Sequence, residues 1–318
     1  MSSQAFRPRN WKEYFGQENI INNLKVYVSS AKIQGKSLDN ILIHGPSGMG
    51  KTSLAYLISK VMGQKIHILN GPSLQKPSDL ISTLTSIKEK EILFIDEIHA
   101  VTKEVLEILY PVLEENKLSV IIGKDYNSKV INLKIPDITI IVATTELNKL
   151  PFPFSNRFAI NLHLKNYNVI EISQIILNAS EKIGLKLTDK LAVFLANHCK
   201  QVPRVAINIL KRIYDYIIYE ENEVITEERL KNILAKMNIY DYGLTDIDIN
   251  YLLILKEYQP IGIETISHIA STPISVILSV IEPPLLIQNL IKRTSKGRML
   301  TDSGLTVLFK NNFHQKKE

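Results

Sequence analysis

The sequence predicts an α/β chain in three parts: a parallel sheet covered by helices over residues 1–165, a small helical domain over 166–240, and a winged helix over 241–318. Three observations predict it. Between about residues 20 and 145, short apolar strands alternate with helical patterns, the arrangement of a parallel sheet with helices on both faces. From Asn168 the apolar residues recur at helical spacing alone. Near the C-terminus, short helical stretches lead into a hairpin rich in lysine and arginine.

The strands are Asn40-Ile41-Leu42-Ile43-His44, Lys65-Ile66-His67-Ile68-Leu69, Ile92-Leu93-Phe94-Ile95 and Ile138-Thr139-Ile140-Ile141-Val142-Ala143. Their continuous apolar or β-branched character is that of strands buried on both faces. In the helical part Val169, Ile172, Ile175, Ile176 and Ala179 repeat at helical spacing, Gly184 stops the helix and Thr188 caps the next. Further helices start at Pro203 and after Thr226-Glu227-Glu228. The chain resets near Tyr242-Gly243, where Thr245 to Asp248 reads as a capping box. Short helices then precede the strands Leu290-Ile291-Lys292-Arg293 and Arg298-Met299-Leu300, with Ser295-Lys296-Gly297 as the turn.

Composition narrows the class. At 318 residues, 45% hydrophobic and 22% charged, the chain has a globular composition and is too long for one ordinary core. The N-terminal residues do not resemble a secretion signal, and no apolar run approaches the ~18 residues that span a bilayer, so a cytoplasmic protein is expected. The single cysteine, Cys199, excludes an internal disulfide framework and reads as an ordinary helix residue. A net charge of +6 is compatible with a polyanionic partner and decides nothing alone.

The chemistry starts at Gly45-Pro46-Ser47-Gly48-Met49-Gly50-Lys51-Thr52, a G-x-x-x-x-G-K-[ST] pattern between a strand and a helix-forming run. Glycines let backbone N–H groups wrap phosphate oxygens, the helix N-terminus adds partial positive charge, Lys51 reaches the outer phosphates, and the Thr52 hydroxyl can ligate Mg²⁺. Gly48, Gly50, Lys51, Thr52 and Ser53 are therefore the nucleotide-binding candidates. The strand ending in Asp96-Glu97 supplies a carboxylate for the metal, Asp96, and a second, Glu97, that orients or deprotonates water. His99 reads as structural. Thr144-Thr145 ends another strand, where such a pair either bonds the γ-phosphate or the attacking water or is mere structure.

Developing charge on a transferred phosphoryl group is often met by a guanidinium, sometimes from a neighbouring subunit. Arg157 and Arg204 are candidates, the alternative being ordinary surface arginines. The apolar hairpin joining Leu118–Gly123 to Val130–Leu133 is either a docking element or an extension of the sheet. In the C-terminal hairpin Lys292, Arg293, Lys296 and Arg298 place four cations in seven residues, either for phosphate contacts with duplex DNA or as a solvated turn.

Together these stretches resemble the RuvB family of AAA+ ATPases, motors of bacterial Holliday-junction branch migration. The resemblance rests on Phe6-Arg7-Pro8, Glu13 to Gln17, the phosphate loop, Leu93 to His99, Glu107 to Pro111, Ile121 to Lys124, Ala143-Thr144-Thr145, Asn156-Arg157-Phe158, Val202-Pro203-Arg204 and Arg293 to Arg298 after Glu282-Pro283. It implies a large AAA+ ATPase domain with a small helical lid and a winged-helix DNA-binding domain. It further implies a hexameric ring around duplex DNA, ATP and Mg²⁺ as cofactors, and Arg7, Tyr14 and Phe15 at the nucleotide, the last two near adenine. Thr145 would be the sensing residue, Arg157 the finger into the next subunit and Arg204 the second sensor. The 118–134 hairpin would dock on RuvA, the wing residues Arg293, Lys296 and Arg298 would touch DNA, and RuvC would be a further partner where a resolvase exists. Glu146 and Ser155 stand where the family usually has arginines, Ser47 where it has a second proline, and Lys296 where it has an arginine. The rival readings are a clamp-loader or initiator subunit, and a nucleotide-gated regulator that binds ATP without hydrolysis.

Overall fold

The computed structural model describes residues 3–122, 129–220 and 224–310. Residues 123–128, within the segment expected to join the two hairpin strands, and the basic tail Gln315–Glu318 lie outside the described residues. Two compact units are formed, Met1–Tyr167 and Asn168–Glu318.

The first unit runs α1 (Glu18–Gln34), β1 (Ile41–His44), α2 (Lys51–Met62), β2 (Ile66–Asn70), α3 (Pro77–Ser86), β3 (Ile92–Asp96), α4 (Lys103–Glu115), β4 (Lys117–Ile122), β5 (Lys129–Lys134), β6 (Thr139–Thr144), α5 (Phe152–Ser155) and β7 (Ile160–His163). Five strands make one parallel sheet in the order β2-β3-β6-β1-β7. Ile41, Leu42 and Ile43 of β1, Ile92 to Ile95 of β3 and every residue of β6 are buried, as central strands covered on both faces require. Leu54, Leu57 and Ile58 on α2 are fully buried, each stabilising the unit by roughly 1.5–3 kcal/mol.

β7, absent from the sequence-derived strands, lies at the sheet edge with Ile160 and Leu162 buried and Asn161 and His163 exposed. Its short polar alternation hides it from a search for continuous apolar runs. The strands β4 and β5 pair antiparallel, Leu118 with Leu133 and Val120 with Ile131, as a sheet of their own. That removes the sheet-extension alternative. On β5, Ile131 and Leu133 share one face and are both exposed.

The second unit starts with α6 (Val169–Lys182), α7 (Asp189–Ala196), α8 (Pro203–Tyr219) and α9 (Glu227–Lys236). Their starts obey local chemistry: Asn168 and Glu171 form a capping box on α6, the Thr188 and Thr226 hydroxyls cap α7 and α9, and Pro203 opens α8. Cys199 is buried in a turn beyond α7, not in a helix, and its thiol donates to Leu195 O at 3.0 Å. The backbone that follows α7 is bent there by Lys200 and Gln201, both at positive φ, which a composition-based reading cannot see.

The chain continues through α10 (Asp246–Tyr258), α11 (Ile263–Ile269), α12 (Ile274–Val276), a π turn over Ile277–Ile281, and α13 (Glu282–Ile287). The hairpin β8 (Ile291–Thr294) and β9 (Gly297–Leu300) and the helix α14 (Asp302–Lys310) complete it. Ile261 bridges to Arg298 as a third, one-residue strand. Gly297 is required there: its φ is +134°, and a Cβ would lie 2.5 Å from Ile261 O. Leu252, Leu255, Ile266, Ile277, Leu285 and Leu290 form the core beneath this winged helix.

Candidate functional site

Parallel pairing aligns the C-terminal ends of β1, β3 and β6. His44 is opposite Thr144 and Ile95 is opposite Val142, so the phosphate loop, Asp96-Glu97 and Thr144-Thr145 leave the sheet side by side. This is the edge at which open α/β sheets bind ligands.

The loop is shaped by its glycines. Gly45 has φ +143°, and a Cβ there would lie 2.4 Å from Leu164 O. Gly48 and Gly50 also take positive φ, and Gly50 delivers the chain into α2. Lys51 is buried and its Nζ donates to Gly45 O at 2.8 Å and Pro46 O at 3.1 Å. Thr52 Oγ1 donates to Asp96 Oδ2 at 2.7 Å, which joins the two motifs. Ser53 follows in the first turn of α2, half-buried.

Glu97 stands in a left-handed conformation, φ 50° and ψ 50°, a strained state for a residue with a side chain and one that clusters at functional sites. It is over-determined from below and above. Gly71 sits so close that a Cβ would be 2.1 Å from Glu97 O. Glu97 Oε2 accepts from Thr145 N at 3.2 Å and Thr145 Oγ1 at 3.1 Å. The base candidate and the sensing candidate are therefore in direct contact.

Tyr14 belongs to the same site. Its hydroxyl is 3.4 Å from that of Tyr167, which donates to Met49 O at 3.2 Å in the phosphate loop. Burial, reinforced by Tyr167, pushes the Tyr14 phenol above its ordinary range. Phe15 beside it is half-buried. Arg7 stacks over Tyr56 of α2, 3.8 Å from the ring centroid. Next to the loop, the His44 and His163 rings stack with centroids 4.6 Å apart. Burial, then His163, lowers the His44 pKa.

Arg157 is turned toward α4. Its Nε is 2.8 Å from Glu114 Oε1 in an ion pair whose angle makes no hydrogen bond, its guanidinium lies 4.5 Å from the Tyr110 ring centroid, and Nη1 donates to Pro153 O. Arg204 is exposed in the first turn of α8, in the second unit.

The wing candidates are of two kinds. Lys296 is exposed in the turn. Arg298 Nε donates to the buried Glu282 Oε1 at 2.9 Å, and Arg293 Nε to Glu282 Oε2 at 2.7 Å. Arg298 is largely buried and Arg293 about half exposed, so the arginines brace the hairpin while the lysine faces solvent.

Sequence reasoning missed Tyr167, Gly71 and the placement of His99. Tyr167 carries no local motif. Gly71 had a readable signal, a glycine directly after a parallel strand. His99, read as merely structural, has Nδ1 2.9 Å from Thr144 Oγ1 and 3.3 Å from Glu97 Oε2, inside the site.

Comparison with known proteins covers the same ground. Residues 6–164 match the family model described as the Holliday junction DNA helicase RuvB P-loop domain, 167–240 that of the RuvB AAA lid domain, and 241–309 that of the RuvB C-terminal winged helix domain. A Holliday junction branch migration complex subunit RuvB of Ureaplasma parvum is 41% identical over 313 residues, 98% of each chain. That of Mycoplasmopsis synoviae is 38% identical over 310 residues, 96% of this chain and 98% of its own. Among solved structures, the RuvB Holliday junction branch migration motor of Thermotoga maritima superposes with a TM-score of 0.83 at 31% identity, covering 96% of this chain and 99% of that one. No single helix among the described residues is long and apolar enough to cross a membrane.

Proposed function

The chain belongs to the RuvB family, and from that premise we propose that it is the ATP-driven motor that branch-migrates Holliday junctions in recombination and repair. The observation that carries the proposal is the join between the phosphate loop and the acidic strand end, Thr52 to Asp96 at 2.7 Å, with Glu97 touching Thr145 beside it. ATP lies with its phosphates against the backbone N–H groups of residues 48–52 and the Lys51 ammonium, with Arg7, Tyr14 and Phe15 at the nucleoside end. Glu97 orients the attacking water and takes its proton, Thr145 holds the water or the γ-phosphate, and ADP and phosphate leave.

The donor set suits Mg²⁺: a hydroxyl and a carboxylate, both hard oxygen ligands. Among the described residues no group of three or more His, Cys, Asp or Glu is arranged around a metal. A sparse set fits an ion that binds through one or two protein oxygens and keeps phosphate and water for the rest. When bound, Mg²⁺ neutralises charge on the transferring phosphoryl group.

Six copies form a ring around duplex DNA in the cytoplasm, with Arg157 reaching the neighbouring subunit's phosphate site and Arg204 sensing nucleotide from the helical domain. The exposed Ile131 and Leu133 support the 118–134 hairpin as the face that docks RuvA. RuvC joins where a resolvase is present, and the wing holds the phosphate backbone.

Phosphate release by the full chain with Mg²⁺ and duplex DNA tests the site. Lys51→Ala and Glu97→Gln lower DNA-stimulated turnover at least ~100-fold, as expected for losing a phosphate cradle or the group acting on water. Unchanged turnover in both variants would refute the assignment.

A further inference from the structure

At the end of β6 a second acid stands beside the site. Glu146 Oε2 is 3.0 Å from His99 Nε2 and 2.9 Å from Lys149 Nζ. A carboxylate only accepts, so Nε2 faces it as the donor. The other ring nitrogen, Nδ1, is within hydrogen-bonding reach of the Thr144 hydroxyl at 2.9 Å, and that hydroxyl oxygen accepts from Glu146 N at 3.0 Å. The loop is closed: Glu146 holds the ring, the ring holds Thr144, and Thr144 holds the backbone of Glu146. Thr144 is fully buried and is followed directly by Thr145, whose N and Oγ1 bind Glu97 Oε2. The same His99 Nδ1 lies 3.3 Å from that oxygen, so the ring also stands directly against Glu97.

We propose that Glu146 is a positioning residue for ATP hydrolysis, acting through His99 and Thr144 to fix the carboxylate of Glu97 against Thr145. The inference rests on the reading of Glu97 as the group that acts on water. It concerns a position where this chain has an acid and the resemblance leads one to expect an arginine, which cannot accept from His99 and would place a cation beside Glu97. Lys149, one turn on, keeps Glu146 in place by bonding the same oxygen, Oε2, that faces His99.

The test is steady-state ATP turnover by the full chain with duplex DNA. Glu146→Ala lowers kcat on the order of tenfold, the size of one lost hydrogen bond to a charged group, and leaves KM for ATP within twofold. Glu146→Gln, which keeps an oxygen acceptor for Nε2, restores kcat to within about threefold of the parent. His99→Ala gives the same loss as Glu146→Ala, and the double variant loses no more than either alone, because both act through one path. Glu146 is surface-accessible, so Glu146→Ala retains the parent melting temperature. Parent-like kcat in Glu146→Ala, a loss confined to KM, or multiplicative losses in the double variant would each overturn the proposal. Full turnover in Glu97→Gln would instead remove the base assignment itself, and the positioning role with it.

Discussion

Glu282 is the most committed side chain of the winged helix, and removing it gives a quantitative test of how the wing is held. The residue is 0% exposed. It accepts from Tyr251 Oη at 2.6 Å, Arg293 Nε at 2.7 Å and Arg298 Nε at 2.9 Å. Breaking a buried ion pair from one side costs about 3–5 kcal/mol, because the remaining charge is left without a partner. Arg293 is 46% exposed and can turn to water, so its share is discounted. Arg298, 17% exposed, and the buried Tyr251 carry the loss, which places Glu282→Ala near 3 kcal/mol, the lower end of that range.

The assay is hydrogen exchange of the β8 and β9 amides, which reads local opening without requiring the whole chain to unfold in one step. Protection falls about 100-fold in Glu282→Ala. Exchange within threefold of the parent would refute the bracing argument. Acid gives a second reading. Burial pushes the Glu282 pKa up, but the hydrogen bonds from Tyr251, Arg298 and Arg293 outweigh it, and the net shift is downward. A carboxylate with a lowered folded pKa stabilises above its unfolded value, roughly pH 4.3, and that stability is lost as pH falls through the folded value. Wing protection should therefore drop on acidification below about pH 4 in the parent and be insensitive there in Glu282→Ala.

Two other predictions follow from the same contacts. Lys296→Ala reduces the salt dependence of duplex binding by about one unit of slope in a log–log titration per wing, whereas Arg298→Ala destabilises the wing with a smaller change of slope; equal slopes for parent and Lys296→Ala would show that the turn lysine makes no phosphate contact. Gly71→Ala forces a Cβ against Glu97 O, which would be 2.1 Å away, and should cost ~1–3 kcal/mol of stability and lower ATP turnover by displacing Glu97; thermal melting and phosphate release check both, and parent-like values in both would contradict the strained placement of Glu97.

The parts of this molecule that could be read in sequence are those with local causes. The phosphate loop announces itself because only glycines tolerate its backbone, and β1, β3 and β6 because central parallel strands must be apolar throughout. Helix starts at Asn168, Thr188, Pro203 and Thr226 are legible because caps act within three residues. What stayed hidden depends on partners far along the chain. Tyr167 meets the phosphate loop across 118 residues, and His99 meets Thr144 across 45. Nothing in Glu282-Pro283 indicates that Glu282 takes two of the wing's cations. β7 was missed because an edge strand needs only alternate apolar residues, and four positions are too few to establish the period.

The most direct measurement is strand movement on a synthetic four-way junction, with the full chain, RuvA, ATP and Mg²⁺, followed by gel separation of the duplex products. The parent should convert the junction to two duplexes in an ATP-dependent manner, and Lys51→Ala should convert none. An intact junction after incubation with a chain that hydrolyses ATP would contradict it.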